Sequence, residues 1–98
     1  MEFKRENPDC KFTIPDRPTV RQQFEYISLV ADAVGRSMVL KYWEGAKSII
    51  QSWECETVPD YKTFNIDESD SPTATNLLVW AGWEVRRYMN NLEDVSKN

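Results

Sequence analysis

At 98 residues and 11.5 kDa, with 41% hydrophobic and 29% charged residues, the chain has the size and balance of one small globular domain rather than a disordered or fibrous segment. It has no histidine, which removes imidazole acid–base chemistry, Ser-His and Cys-His nucleophile systems and histidine metal ligation. A net charge of −4 opposes routine binding to a phosphate backbone, and no apolar run approaches the roughly 18 residues that a membrane span needs.

The opening MEFKRENPDC is charged and leads into no apolar stretch, so no signal peptide is expected and a cytoplasmic location is the default. Residues 1–18 contain Pro8, Pro15 and Pro18, which block helix continuation and bias their neighbours toward extended backbone. Cys10, Phe12 and Ile14 alternate with Lys11 and Thr13, the period of a short strand or of an extended arm lying on the domain.

Residues 19–98 read as a single helical domain. Thr19 and Gln22 have the spacing of a capping box. Val20, Phe24, Ile27, Ala31 and Val34 then recur on one helical face, predicting a helix over 20–34 that ends at Gly35 and points this stripe into the core. Ser37 can cap a second helix over 38–53, whose stripe is Val39, Tyr42, Trp43, Ala46, Ile49, Ile50 and Trp53. The connection 54–70 holds Glu54, Glu56, Asp60, Asp67, Glu68 and Asp70 against Lys62 alone, so the acidic excess of the chain is concentrated there. Within it, Thr63 to Ile66 are expected as a short strand pairing with residues 10–14. Ser71 and Pro72 open a third helix over 72–93, with Leu77, Leu78, Ala81, Val85, Tyr88, Met89 and Leu92 on its core face and a polar, frayed tail from Asp94 to Asn98. The expected fold is therefore mainly α: a three-helix domain with an extended N-terminal arm and at most a minor two-stranded β ribbon.

No catalytic or metal constellation stands out. Cys10 and Cys55 are the only thiols, without a CxxC pair, and read as free; a disulfide between them would be unusual in the cytoplasm. The segment Asn65–Asp70 has the acidity of a calcium loop, but Asp70 stands where that loop needs glycine and Asn76 where it needs glutamate. The three glycines are isolated, so no phosphate loop exists, and no carboxylate pair sits in an apolar setting. These residues predict a protein that is not an enzyme and takes no cofactor or metal.

The anomaly lies on the third helix. Opposite its core stripe runs a second apolar strip, Val79, Trp80 and Trp83, edged by Arg86 and Arg87, with an echo on the first helix in Tyr26, Leu29 and Ala33. Either the N-terminal arm folds over this strip, bringing Phe3 or Phe12 against Trp83, or another chain buries it. Trp and Arg are enriched at binding hot spots, which favours a protein-interaction surface of Val79, Trp80, Trp83, Arg86, Arg87, Tyr26 and Leu29.

The segments Pro18-Thr-Val-Arg-Gln-Gln23, Tyr42-Trp-Glu-Gly-Ala-Lys47, Trp53-Glu-Cys-Glu56, Trp80-Ala-Gly-Trp83 and Asn91-Leu-Glu-Asp94 together resemble small tail assembly chaperones of tailed bacteriophages, over roughly residues 12–98. The resemblance implies a mostly helical, non-enzymatic viral protein of the host cytoplasm. It would bind the phage tape-measure protein before the tail tube polymerises, and would self-associate into a homo-oligomer. It implies no site residues; the charge and the lack of a long apolar run separately predict neither nucleic acid nor membrane as a partner. Two other readings stand beside it: a small acidic inhibitor of a host defence protein, with 54–70 imitating nucleic-acid phosphates, and a structural tail or neck subunit of the virion.

Overall fold

The N-terminal segment is a β-hairpin, and this changes the fold class. The computed structural model describes residues 1–35 and 37–96, the last five of these as backbone only. In chain order the elements are β1 (Glu2–Arg5), β2 (Cys10–Thr13), α1 (Val20–Val30), α2 (Ser37–Ile49), β3 (Ser52–Cys55), a 3-10 turn (Ile66–Glu68) and α3 (Pro72–Ser96). The three strands form one antiparallel sheet in the order β1-β2-β3. The domain is thus α+β with a three-stranded sheet, not mainly α with a two-stranded ribbon.

Both strands that alter the picture are four residues long, and each has a physical reason for being missed. β1 contributes one apolar side chain, Phe3, between charged neighbours, so it shows no alternation long enough to read. β3 does alternate, with Trp53 and Cys55 inward and Ser52 and Glu54 outward. Trp53, however, also continues the i, i+3, i+4 stripe of Ile49 and Ile50, which extended the expected second helix to residue 53; that helix ends at Ile49. β2 therefore pairs with β3 on its other side from β1, in the register Cys10↔Cys55, Phe12↔Trp53 and Thr13↔Ser52, while Thr63 to Asn65 form no strand and lead into the 3-10 segment that begins at Ile66.

The inner face of the sheet lies on α3 and α2 through a chain of rings. Phe3 stacks on Phe12 at 4.9 Å between centroids and meets Tyr88 edge-on at 6.2 Å; Phe12 meets Trp80 edge-on at 5.5 Å. Trp53 lies against Phe12, Trp43 and Tyr61, and its indole N–H donates to the Val58 carbonyl at 2.6 Å. The Tyr88 hydroxyl donates to the Asp16 carbonyl at 2.6 Å, fastening the segment after the hairpin to α3. Ala74, Leu77, Leu78, Ala81, Val85 and Met89 line the buried side of α3, with Ser71 accepting from the Ala74 N–H as its cap. Leu92, expected on that face, lies outside the described side chains.

Two glycines set the helix crossings. A Cβ at Gly82 would come within 3.1 Å of the Trp43 backbone nitrogen, so α3 meets the backbone of α2 there. A Cβ at Gly45 would come within 2.7 Å of Val30 Cγ1 and 2.8 Å of the Tyr26 ring, so α1 packs on α2 at that point. This second contact overturns the expected orientation of α1. Tyr26 and Val30 are the buried residues of the helix, whereas Val20, Phe24, Ile27 and, beyond its end, Val34 are exposed at 67%, 65%, 50% and 73%. The pattern was amphipathic, but the stripe points to solvent because the large Tyr26 ring fills the space that Gly45 leaves. α1 also ends sooner than expected: Ala31 is extended and Asp32 takes a left-handed φ of 58°, before Gly35 does so at 59°.

Candidate interaction surface

The outward face of α1 is held in place by local chemistry at both ends. Thr19 and Gln22 form a reciprocal capping box: the Thr19 N–H donates to Gln22 Oε1 at 2.8 Å, and the Gln22 N–H donates to Thr19 Oγ1 at 3.1 Å. The Gln23 amide donates to the Pro18 carbonyl at 2.9 Å. At the other end Lys41 of α2 donates to the Ala31 carbonyl at 2.9 Å, satisfying a terminal acceptor and placing a cation at the negative end of the helix dipole. The helix is thus anchored by its ends and by Tyr26 and Val30, and presents Val20, Phe24 and Ile27 outward.

Beside Ile27 a cleft of about 370 Å³ opens between α1, α2 and α3, lined by Ile27, Val30, Ala31, Ala33 and Tyr42 with Asp32 and Arg86 as its charged members. On its far side Tyr42 meets Trp83 edge-on at 5.0 Å, and the Arg86 guanidinium lies 5.6 Å from the Tyr42 ring centre. Trp83 is 41% exposed. The apolar surface therefore runs from Val20 along α1, across the cleft, to Tyr42 and Trp83.

The residues singled out from the sequence do not come together in one place. Trp83 and Arg86 border this surface, and Leu29 is exposed on another side of α1. Trp80 and Val79 are half-buried; Trp80 lies beneath the hairpin, with Phe12 at its edge and the Arg5 guanidinium 5.5 Å from its centre. The hairpin therefore covers Trp80 rather than Trp83. Arg87 is exposed and pairs with Glu84 at 3.7 Å. Tyr26 is buried in the core. Val20, Phe24, Ile27 and Val34, expected in the core, are exposed, since periodicity gives the width of an apolar stripe but not the direction it faces. In the acidic connection, Glu54 pairs with Lys11 at 3.6 Å across the sheet, and Asp60 accepts from the Lys62 N–H at 3.0 Å.

Burial pushes the Tyr26 phenol up to about 12, with the Arg86 charge drawing it part of the way back. The folded value lies above the unfolded one, so this contribution is complete below pH 10 and is lost as pH rises from 10 toward 12. Its full size is about 2–3 kcal/mol. Tyr26→Phe should remove that part of the alkaline destabilisation, which urea midpoints followed by circular dichroism at pH 9, 10 and 11 would show as a flatter profile.

No helix among the described residues is long and apolar enough to cross a membrane. No protein-family model matches the sequence, and neither curated proteins nor solved structures give a significant match.

Proposed function

We propose that this protein works by protein–protein association rather than catalysis, and that the outward face of α1 takes a second copy of the chain. The observation that carries this reading is a capped, anchored helix whose apolar stripe faces water. Isolated exposed apolar residues are ordinary on a protein surface, but a periodic row that continues into an exposed Trp is the pattern of a contact site.

The face suits its own copy. Two α1 helices packed antiparallel about a two-fold axis place Phe24 of each near Ile27 of the other. Arg21 of each then approaches the Glu25 and Asp32 end of its mate, while the two Arg21 side chains stay apart. Burying the exposed parts of Val20, Phe24, Ile27 and Val34 contributes about 1–2 kcal/mol per side chain. Set against an association cost of about 4–15 kcal/mol, that gives a weak, concentration-dependent dimer.

The finer reading is that of a phage tail assembly chaperone. The segments that resemble that family support it, and so does a self-associating surface able to receive an apolar helix of a client in place of the second copy. Light scattering coupled to size exclusion over a hundredfold concentration range tests the self-association. The mass should rise from 11.5 kDa toward twice that value. A strict monomer throughout would remove the second copy as occupant and leave the face to a different protein.

A further inference from the structure

Cys10 and Cys55, far apart in sequence, stand directly opposite each other on β2 and β3. The hydrogen-bond phase of the sheet fixes what kind of pair they are. Met1 and Ile14 exchange both backbone bonds: the Ile14 N–H donates to the Met1 carbonyl at 3.0 Å, and the Met1 ammonium donates to the Ile14 carbonyl at 2.9 Å. Bonded and non-bonded positions alternate along an antiparallel pair, so Phe12 and Cys10 also turn their backbone groups toward β1. Cys10 therefore turns none toward β3, and Cys10↔Cys55 is a non-hydrogen-bonded pair. This is the closer kind, with Cα atoms about 4.5 Å apart, which lies inside the range that a disulfide bridges.

The surroundings give the pair an order of reaction. Both thiols border an open cleft of about 610 Å³, whose charged lining is Lys4, Glu6, Asp9, Lys11, Glu54 and Glu56, but Cys10 is only 2% exposed there whereas Cys55 is half-buried. The Cys10 thiol is pushed up by burial first and then by its hydrogen bond to Cys55 and that group's charge, with Arg5 acting the other way. Cys55 is thus the thiol that a reagent meets first, and Cys10 the one placed to displace it.

We infer that Cys10 and Cys55 are a redox-active pair that closes to a reversible cross-strand disulfide on reaction with a small disulfide such as oxidised glutathione. The Cys55 thiolate attacks one sulfur of that disulfide, whose S–S bond breaks to release one glutathione thiolate. Cys10 then loses its proton and attacks Cys55 Sγ, expelling the second glutathione. The two protein thiols give up two electrons and two protons, and one glutathione disulfide becomes two glutathione thiols. The new bond ties β3 to β2 and closes a loop containing α1 and α2.

The test equilibrates the full chain in glutathione buffers of graded ratio, traps free thiols by alkylation and reads intact mass, non-reducing gel mobility and melting temperature. Both thiols should disappear together in a chain that is two hydrogens lighter and runs as a single chain. Its melting temperature should be higher by about 10 °C, and dithiothreitol should reverse the change. Cys10→Ala should stop at a glutathione adduct on Cys55. Cys55→Ala, at the more exposed position, should leave Cys10 free and provides the same comparison if the Cys10 variant does not fold. Two alkylated thiols in excess oxidised glutathione, a lasting Cys55 adduct in the unaltered chain, or disulfides formed only between chains would each overturn the inference.

Discussion

Replacing Phe24 with glutamate should hold the protein at 11.5 kDa at every concentration and leave its melting curve nearly unchanged. Phe24 is 65% exposed in the monomer, so the fold loses little when the ring is removed, within about 0.5 kcal/mol for a surface position of this kind. The dimer loses twice over, because a two-fold interface carries each substitution on both sides. Two rings leave the contact at about 1–2 kcal/mol each, and two carboxylates must be desolvated near each other, a cost that pairing with Arg21 one turn earlier on the same helix offsets only in part. Dissociation should strengthen by at least about a hundredfold. Light scattering and a thermal melt on the same sample check both halves of the expectation. A Phe24→Glu variant that still dimerises would move the contact elsewhere, with Trp83→Arg the next comparison.

Trp43→Ala should be the most damaging single change to the fold, costing about 3–5 kcal/mol. The indole is 1% exposed, meets the Trp53 and Tyr61 rings at 5.9 and 6.3 Å between centroids, and sits on α2 where Gly82 of α3 comes close. Nothing flexible stands ready to fill the cavity, because its walls are a strand, the α2–α3 crossing and a second indole. A domain of this size has about 5–15 kcal/mol of stability in all, so the variant would fall to a fraction of it. Trp43→Phe should cost much less. It keeps a ring in the site and removes an indole N–H that has no hydrogen-bond partner among the described residues. Urea unfolding followed by circular dichroism would rank the three proteins.

What could be read beforehand was whatever local chemistry alone decides. The capping box at Thr19 and Gln22, the Ser71-Pro72 start of α3 and the inward Leu77, Ala81 and Val85 all follow from short-range rules. The rest depended on partners distant in sequence. β3 is a strand because β2 lies beside it; alone, Ser52-Trp-Glu-Cys55 is an equally good last turn of a helix. β1 is a strand only through β2, and its single inward ring could announce nothing. The stripe of α1 is plain in the sequence, yet its direction is not, because an apolar face that packs inward and one that faces water have the same period. Of the surface proposed here for self-association, the sequence marks Trp83, with Arg86 at its edge, whereas Val20, Phe24 and Ile27 look like ordinary core residues.

Gly45 acts on the outer surface from inside the protein. Its single hydrogen admits the Tyr26 ring and Val30, and their seating fixes the angle at which α1 is rolled on α2. The set of side chains that α1 turns to solvent is therefore chosen at a buried position. A lineage that gained a methyl group at residue 45 would have to roll the helix to make room, and would trade Phe24 and Ile27 for a different set of outward side chains. The face that α1 shows to solvent can thus change by way of the core, without a substitution at any exposed position.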